Sequence, residues 1–239
     1  MAGMIVWHEL YTGDVDAAMS FYTELLGADI ETASMGEGPD YNMLRKDGRT
    51  HGGFVKKEHA ETPSHWYPYI QVDDVDGTVE KAKSLGAELH FGPMEISDML
   101  RFAVLGDPEH ATFGVMTGSD ESPACVFAWD ELHAKDIDAA TAFYGQVAGW
   151  TTAPMMEGYL LFNFGEASVG GLMTEQHSPV GYWLTYLAVD DVDAAHAKAE
   201  ELGATEMMGP EDIEGGGRFS VIADPTGAAV GLFKGAPQD

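Results

Sequence analysis

Four stretches of the chain carry apolar residues at helical spacing, each opened by aspartate and followed by glycine. They are Asp14–Leu26 before Gly27, Asp74–Leu85 before Gly86, Asp136–Ala148 before Gly149 and Asp191–Leu202 before Gly203. In the first, Ala17, Ala18, Phe21, Tyr22 and Leu25 recur three and four residues apart, which gathers them on one buried stripe. Aspartate suits a helix start, where a carboxylate meets unpaired N–H groups and the positive end of the helix dipole. Glycine suits the left-handed residue that ends a helix. Between the helices the pattern is strand-like, and strands are expected over Ile5–Tyr11, Ala28–Ala33, Tyr41–Lys46 and Gly52–Lys56. A second set falls at Trp66–Val72, Ala87–His90, Arg101–Leu105 and Thr112–Met116. A Pro108-containing turn joins the last two, since proline presets φ for a turn.

The same plan then repeats. Phe127–His133 matches Ile5–Tyr11, Tyr182–Val189 matches the strand at Trp66, and Arg218–Ala223 matches Arg101–Gly106. Units one and three share Trp-x-Glu-Leu and Ala-x-x-Phe-Tyr. Units two and four share Val-Asp-Asp-Val-Asp, Leu-Gly-Ala, Gly-Pro, Arg-Phe-x-Val and Asp-Pro. Trp7 to Trp129 is a longer step than Arg101 to Arg218, so a small deletion lies in a loop of the second half. Internal repetition decides architecture before other signals do. Each unit reads β-α-β-β-β, and one such unit leaves its sheet half covered. The expected fold is therefore α+β: two tandem domains, residues 1–118 and 124–239, joined by Ser119–Ala124. Each pairs two modules into a curved, cleft-enclosing mixed sheet of eight strands with helices outside, and the cleft is the default ligand site.

Charge narrows the partners. Forty acidic residues face 12 Lys plus Arg, a net charge of −28. Binding to nucleic acid or an anionic membrane needs clustered Lys and Arg, so neither is expected. The one cysteine, Cys125, rules out an intrachain disulfide and a Cys-based zinc or iron–sulfur centre. It reads as a structural thiol. No apolar run approaches the ~20 residues of a membrane span, and a cytoplasmic monomer or homodimer is expected.

These motifs resemble the vicinal oxygen chelate superfamily, which includes glyoxalase I, bleomycin- and fosfomycin-resistance proteins and extradiol dioxygenases. Trp7-His8-Glu9-Leu10, Trp129-Asp130-Glu131-Leu132, Gly217-Arg218-Phe219 and Asp224-Pro225-Thr226-Gly227-Ala228 are similar to a two-domain actinobacterial subgroup that includes a mycobacterial antigen. The resemblance implies a metal held by one ligand from the first strand and one from the last strand of each module. Carried over position by position, that set is absent. The first-strand positions fall on Trp7, Tyr67, Trp129 and Leu184, and the last-strand positions on Gly114 and Gly231, with Gly52-Gly53 and Gly170-Gly171 in the other two modules. No cofactor is expected, although the resemblance leaves a divalent metal open.

Strand alternation sorts the remaining candidates, because neighbours point to opposite faces. Trp7, Glu9 and Tyr11 share a face, as do Trp129, Glu131 and His133. Glu9 and Glu131 are the acid–base candidates, since a carboxyl in an aromatic cleft is suited to proton transfer. The competing reading bonds them to backbone or to Arg101 or Arg218. His51 shares the parity of Gly53 and could join Glu9 at a metal or carry a proton, or lie at a sheet edge. Tyr67, Tyr69 and Tyr186 supply an aromatic wall for a planar ligand, or simply core. Arg101 and Arg218 suit a substrate carboxylate or phosphate, or an internal ion pair. His196 reads as helix packing. His110, where the other half has Gly227, is expected to weaken its turn. Gly215-Gly216-Gly217 precedes a strand rather than opening a helix, so it is no phosphate cradle. The leading expectation is a small-molecule protein with metal-independent lyase or isomerase chemistry. A non-catalytic binding or sequestering protein, and a metal-dependent lyase or dioxygenase, are the alternatives.

Overall fold

The structure is a computed structural model that describes residues 2–34, 40–97, 100–118, 126–213 and 216–236. The first module holds β1 (Ile5–Thr12), α1 (Val15–Leu26), β2 (Asp29–Ala33), β3 (Tyr41–Lys46) and β4 (Arg49–Lys56). The second holds β5 (His65–Gln71), α2 (Val75–Ser84), β6 (Glu88–Ser97), β7 (Leu100–Gly106) and β8 (Thr112–Met116). The third runs through β9 (Phe127–Ala134), α3 (Ile137–Val147), β10 (Thr151–Met156), β11 (Tyr159–Phe164) and β12 (Ala167–Thr174). The fourth closes with β13 (Tyr182–Ala188), α4 (Val192–Glu201), β14 (Thr205–Ile213), β15 (Gly217–Ala223) and β16 (Ala229–Gly235). Two eight-stranded mixed sheets result, ordered β2-β3-β4-β1-β5-β8-β7-β6 and β10-β11-β12-β9-β13-β16-β15-β14. In each module the first strand is tied in parallel to the last and the remaining pairs are antiparallel. This is the α+β architecture the repeat implied.

The helices begin and end as their sequences dictate. Asp14, Asp74, Asp136 and Asp191 each accept a hydrogen bond from the backbone N–H three residues on, at 3.0–3.1 Å. Such caps contribute about 1 kcal/mol apiece. Gly27 closes α1 in the left-handed conformation, φ 61° and ψ 44°. Strand β6 extends well beyond the expected Ala87–His90, and β14 is of similar length. Each crosses a Gly-Pro pair and keeps pairing by shifting register. Such bulges absorb residues that break a regular ladder.

Each sheet belongs to one half of the sequence, whereas the compact units draw on both halves. One unit comprises Met1–Trp7, Tyr67–Pro123 and Trp129–Leu184; the other comprises His8–Trp66, Ala124–Ala128 and Thr185–Asp239. In the first unit α2 packs against α3, over a core that includes Ile70, Leu105, Phe113, Tyr144, Phe162 and Trp183. The Trp183 indole donates to the Tyr144 hydroxyl at 3.2 Å, which donates to Asp107 Oδ2 at 3.0 Å. Asp107 Oδ1 accepts the N–H groups of Glu109 and Ala111, fixing the Asp-Pro turn. Burial pushes the Asp107 carboxyl up to about 6, against the lowering effect of these donors.

The second unit repeats the device. There α1 packs against α4 over Leu10, Phe21, Leu187 and Leu232. Trp66 donates to the Tyr22 hydroxyl and Tyr22 to Asp224 Oδ2, both at 2.8 Å. Asp224 Oδ1 accepts from Thr226 and Ala228. Burial, and then the aspartate, push both tyrosine hydroxyls well above their usual range, so both stay protonated donors. The Phe-Tyr and Asp-Pro motifs, far apart in sequence, are thus two ends of one buried network. A buried hydroxyl satisfied as both donor and acceptor specifies a single packing.

Candidate functional site

The glycines at the positions where the resemblance implies metal ligands are covered, in the steric sense, by tyrosines. Tyr41 lies on β3 diagonal to Gly53 on β4, and Tyr159 on β11 diagonal to Gly171 on β12. A Cβ on Gly53 would stand 1.9 Å from the Tyr41 hydroxyl, and one on Gly171 would stand 1.9 Å from the Tyr159 hydroxyl. Only glycine lets the phenol cross the strand. Having crossed, Tyr41 donates to Glu9 Oε1 at 2.6 Å, and Tyr159 donates to Glu131 Oε1 at 2.8 Å. The same exchange recurs on the paired strands. The ring of Tyr69 lies over Gly114 and that of Tyr186 over Gly231, where an added Cβ would be 2.1 Å from the ring in each case. Neither glycine nor a crossing phenol chelates a divalent ion, so the residues present do not fit the metal that the fold implies. Among the described residues, no group of three or more His, Cys, Asp or Glu is placed to hold one.

In the first compact unit, the Glu131 neighbourhood is built from four strands. Trp129, Glu131 and His133 share a face of β9, and the Trp129 indole donates to the Tyr159 hydroxyl at 2.8 Å. His133 Nε2 lies 3.6 Å from Glu131 Oε2, and His133 Nδ1 lies 3.6 Å from Glu175 Oε2. Both are charge contacts longer than hydrogen bonds. Tyr182, at the start of β13, stacks on the imidazole with centroids 4.6 Å apart and planes 12° from parallel. Burial alone would raise the Glu175 carboxyl. Donation from the Ser178 and His177 backbone and from the Tyr182 hydroxyl, with the nearby His133, outweighs it and holds the group at about 2. Burial and the adjacent carboxylates push the hydroxyls of Tyr159 and Tyr182 above their usual range. Tyr67 and Tyr69, both buried, meet at 5.5 Å in the same unit, and Tyr69 continues to Phe102 at 6.2 Å.

In the second unit, Glu9 is buried against Tyr41. Tyr11 accepts the Glu58 N–H at 2.8 Å, and its ring is 5.8 Å from that of His65. Lys57, where the other half has Glu175, donates to the carbonyls of Ala60 and Thr62. Tyr186 is buried beside Phe219 at 6.3 Å. His51 is buried, not at a sheet edge, and its Nε2 pairs with the Lys46 carbonyl at 3.0 Å across its own hairpin.

The arginines go elsewhere. Arg101 grips Asp76 through Nε and Nη2 at 2.7 and 2.8 Å, and Arg218 grips Asp193 at the same distances. Each acceptor is the last aspartate of Val-Asp-Asp-Val-Asp, so these arginines dock the first turn of α2 and α4 to their sheets. They do not bond to Glu9 or Glu131. His196 is buried on α4 and pairs with Glu206. Gly216 and Gly217 lead into β15, while Gly215, Cys125 and the proposed linker lie outside the described residues. An open depression of about 530 Å3, lined by Ala2, Met4, Asp73 and Phe164 to Ala167, includes none of the predicted site residues. Sequence reasoning missed Tyr41, Tyr159, Glu175 and Tyr182. The signal for the first two was present as a tyrosine at matched places in both halves, diagonal to a glycine that an aromatic can cover.

A tandem βαβββ fold whose chelating positions are glycines crossed by tyrosines defines the class of protein. The chain belongs to the Glyoxalase/Bleomycin resistance protein/Dioxygenase superfamily, whose profile matches residues 4–115 and again 127–232. It is 34% identical to "Putative glyoxylase CFP32" of Mycobacterium tuberculosis, over 97% of this chain and 95% of that protein. It is 30% identical to "Anthracycline biosynthesis protein DnrV" of Streptomyces peucetius, covering 97% and 93% respectively. Among solved structures, the Mn(II)-bound glyoxalase from Novosphingobium aromaticivorans shares the fold, with a TM-score of 0.67 at 14% identity, covering 97% of this chain and 82% of that one.

Proposed function

We propose that this chain acts on a small oxygenated or aromatic molecule by metal-independent proton transfer, as a lyase or isomerase. Glu9 and Glu131 are the acid–base groups. The observation that carries the reading is the tyrosine–glutamate pair built over Gly53 and again over Gly171. A phenol that donates to a carboxylate orients it to take a proton from carbon. Where that carbon also bears a hydroxyl, the electron pair of the C–H bond moves into the adjacent carbonyl, and the enediolate is quenched by return of the proton to the same carbon or, once the hydroxyl proton has passed to the former carbonyl oxygen, to the neighbouring carbon. No oxidant is needed. The aromatic walls of Tyr67 with Tyr69, and of Tyr186, suit a planar substrate. The relatives named for glyoxylase and for anthracycline biosynthesis agree with an oxygenated or aromatic class.

A second reading is non-catalytic binding or sequestering. It is favoured by the same crossing phenols, which satisfy one oxygen of each glutamate without any ligand. Mass spectrometry of small molecules that co-purify with the protein separates the two. A ligand recovered chemically changed after incubation, by wild type and not by Glu9→Gln together with Glu131→Gln, supports catalysis. A ligand recovered unchanged supports binding. The net charge of −28 disfavours binding to nucleic acid or an anionic membrane, and we propose a cytoplasmic monomer or homodimer.

A further inference from the structure

The two glutamates have unequal company. Around Glu131, from every strand that packs there, stand Trp129 and His133 of β9, Tyr159 of β11, Glu175 after β12 and Tyr182 of β13. His133 lies between two carboxylates, with Nδ1 toward Glu175 and Nε2 toward Glu131, each at 3.6 Å. Its Nε2 is buried and has no hydrogen-bond partner among the described residues. The imidazole cannot swing freely, because Tyr182 stacks on it at 4.6 Å. Glu175 cannot swing either: Oε1 is held by the N–H groups of His177 and Ser178. Around Glu9 the matching places hold Tyr11, Lys57 and His65, and Lys57 is bound to two carbonyls. Histidine and tyrosine have changed places between the halves, and the anchoring carboxylate has become a cation.

We propose that Glu175, His133 and Glu131 form a proton relay confined to the second half of the chain, in which Glu175 positions His133 and His133 exchanges a proton with Glu131. The inference rests on the proton-transfer reading of Glu131. Glu131 takes the proton from a hydroxyl-bearing carbon beside a carbonyl, and the C–H electron pair passes into the enediolate. Protonated Glu131 then gives that proton to Nε2, and the imidazolium forms between two carboxylates. The reverse transfer returns it to carbon. Glu175 keeps the neutral ring in the Nδ1–H form, so that Nε2 presents its lone pair to Glu131. Such contacts lengthen without substrate and tighten in the reacting complex.

The test uses 15N-histidine protein, with His133 assigned by its loss in His133→Phe, which keeps the stack on Tyr182. Deuterium uptake from D2O into dihydroxyacetone serves as the activity probe. The neutral His133 ring is expected in the Nδ1–H form in wild type, in the Nε2–H form in Glu175→Gln, and back in the Nδ1–H form in Glu175→Asp. With Glu9→Gln present throughout to silence the first half, deuterium uptake is expected to fall about 100-fold in His133→Phe, the lower end for loss of a general acid–base group. A tautomer indifferent to Glu175, or uptake undiminished in His133→Phe, overturns the relay. Absence of uptake by wild type, with the tautomers as expected, instead counts against the proton-transfer reading of Glu131.

Discussion

Glu9 and Glu131 occupy equivalent places in the two halves, and what they share differs in kind from what they do not. They share a first strand, a glycine on the neighbouring strand and a tyrosine that crosses it to donate to the carboxylate. They differ in everything one residue further out: Tyr11, Lys57 and His65 against His133, Glu175 and Tyr182. The shared parts solve a packing problem, since a glycine in a strand leaves a gap that an aromatic ring fills. The unshared parts are titratable groups, and only the second set places an imidazole between carboxylates. A duplicated chain keeps what its sheets need and lets chemistry diverge in one copy.

The largest effect falls on the shared part. Gly171→Ala and Gly53→Ala each place a methyl where the tyrosine hydroxyl stands, and each is expected to cost about 1–3 kcal/mol of stability in urea unfolding, as overpacking does. The comparison sharpens if Gly171→Ala also disturbs the His133 resonances. If neither variant loses stability, the crossing tyrosines are not rigid and the account of the empty ligand positions fails.

A smaller effect lies in the buried networks. The Asp107 carboxyl is pushed up to about 6 by burial in the folded protein, against about 3.9 when unfolded. A raised carboxyl contributes stability that is fully present below about pH 4 and is lost as pH rises through about 6. Asp107→Asn removes that dependence while Oδ1 still accepts from Glu109 and Ala111. The difference between wild-type and variant urea midpoints should therefore change across this window and level off on either side. A pH-independent difference would mean that Asp107 is not desolvated.

The smallest effect concerns one turn. His110 and Gly227 sit at the same place after Asp-Pro, with φ of 72° and 90°, and both make the same 2.8 Å bond back to the aspartate carbonyl. The turn that histidine was expected to weaken therefore keeps its shape, with a side chain in the left-handed region. His110→Gly is expected to raise stability by about 0.5 kcal/mol, the relief of strain partly offset by a looser unfolded chain. Gly227→Ala should do the opposite. Equal and opposite shifts in melting temperature check the pair.

Much of this fold was legible in the sequence because each helix announces itself twice, by its aspartate cap and by its glycine stop. Strand β6 was cut short because Gly92-Pro93 interrupts the alternation, and the ladder continues only through register shifts, as it does across Gly209-Pro210 in β14. That Trp and Gly hold the positions where the resemblance implies ligands was legible too. What replaced them was not, because Tyr41 and Tyr159 lie on a different strand from the gap they fill. Glu175 and Tyr182 escaped for a related reason: they reach His133 only through sheet neighbours, and no local pattern marks that contact. The ion pairs of Arg101 and Arg218 were read as one of two choices, and the deciding aspartates were in the repeat signature all along.

The most direct measurement is the rate of deuterium uptake into dihydroxyacetone before and after exhaustive treatment with a chelator, alongside the variant that carries Glu9→Gln together with Glu131→Gln. The account predicts the same wild-type rate with and without chelator, and a fall of about 100-fold or more in the variant. A rate that vanishes with chelator and returns with Mn(II), or one that the two substitutions together leave intact, would contradict it.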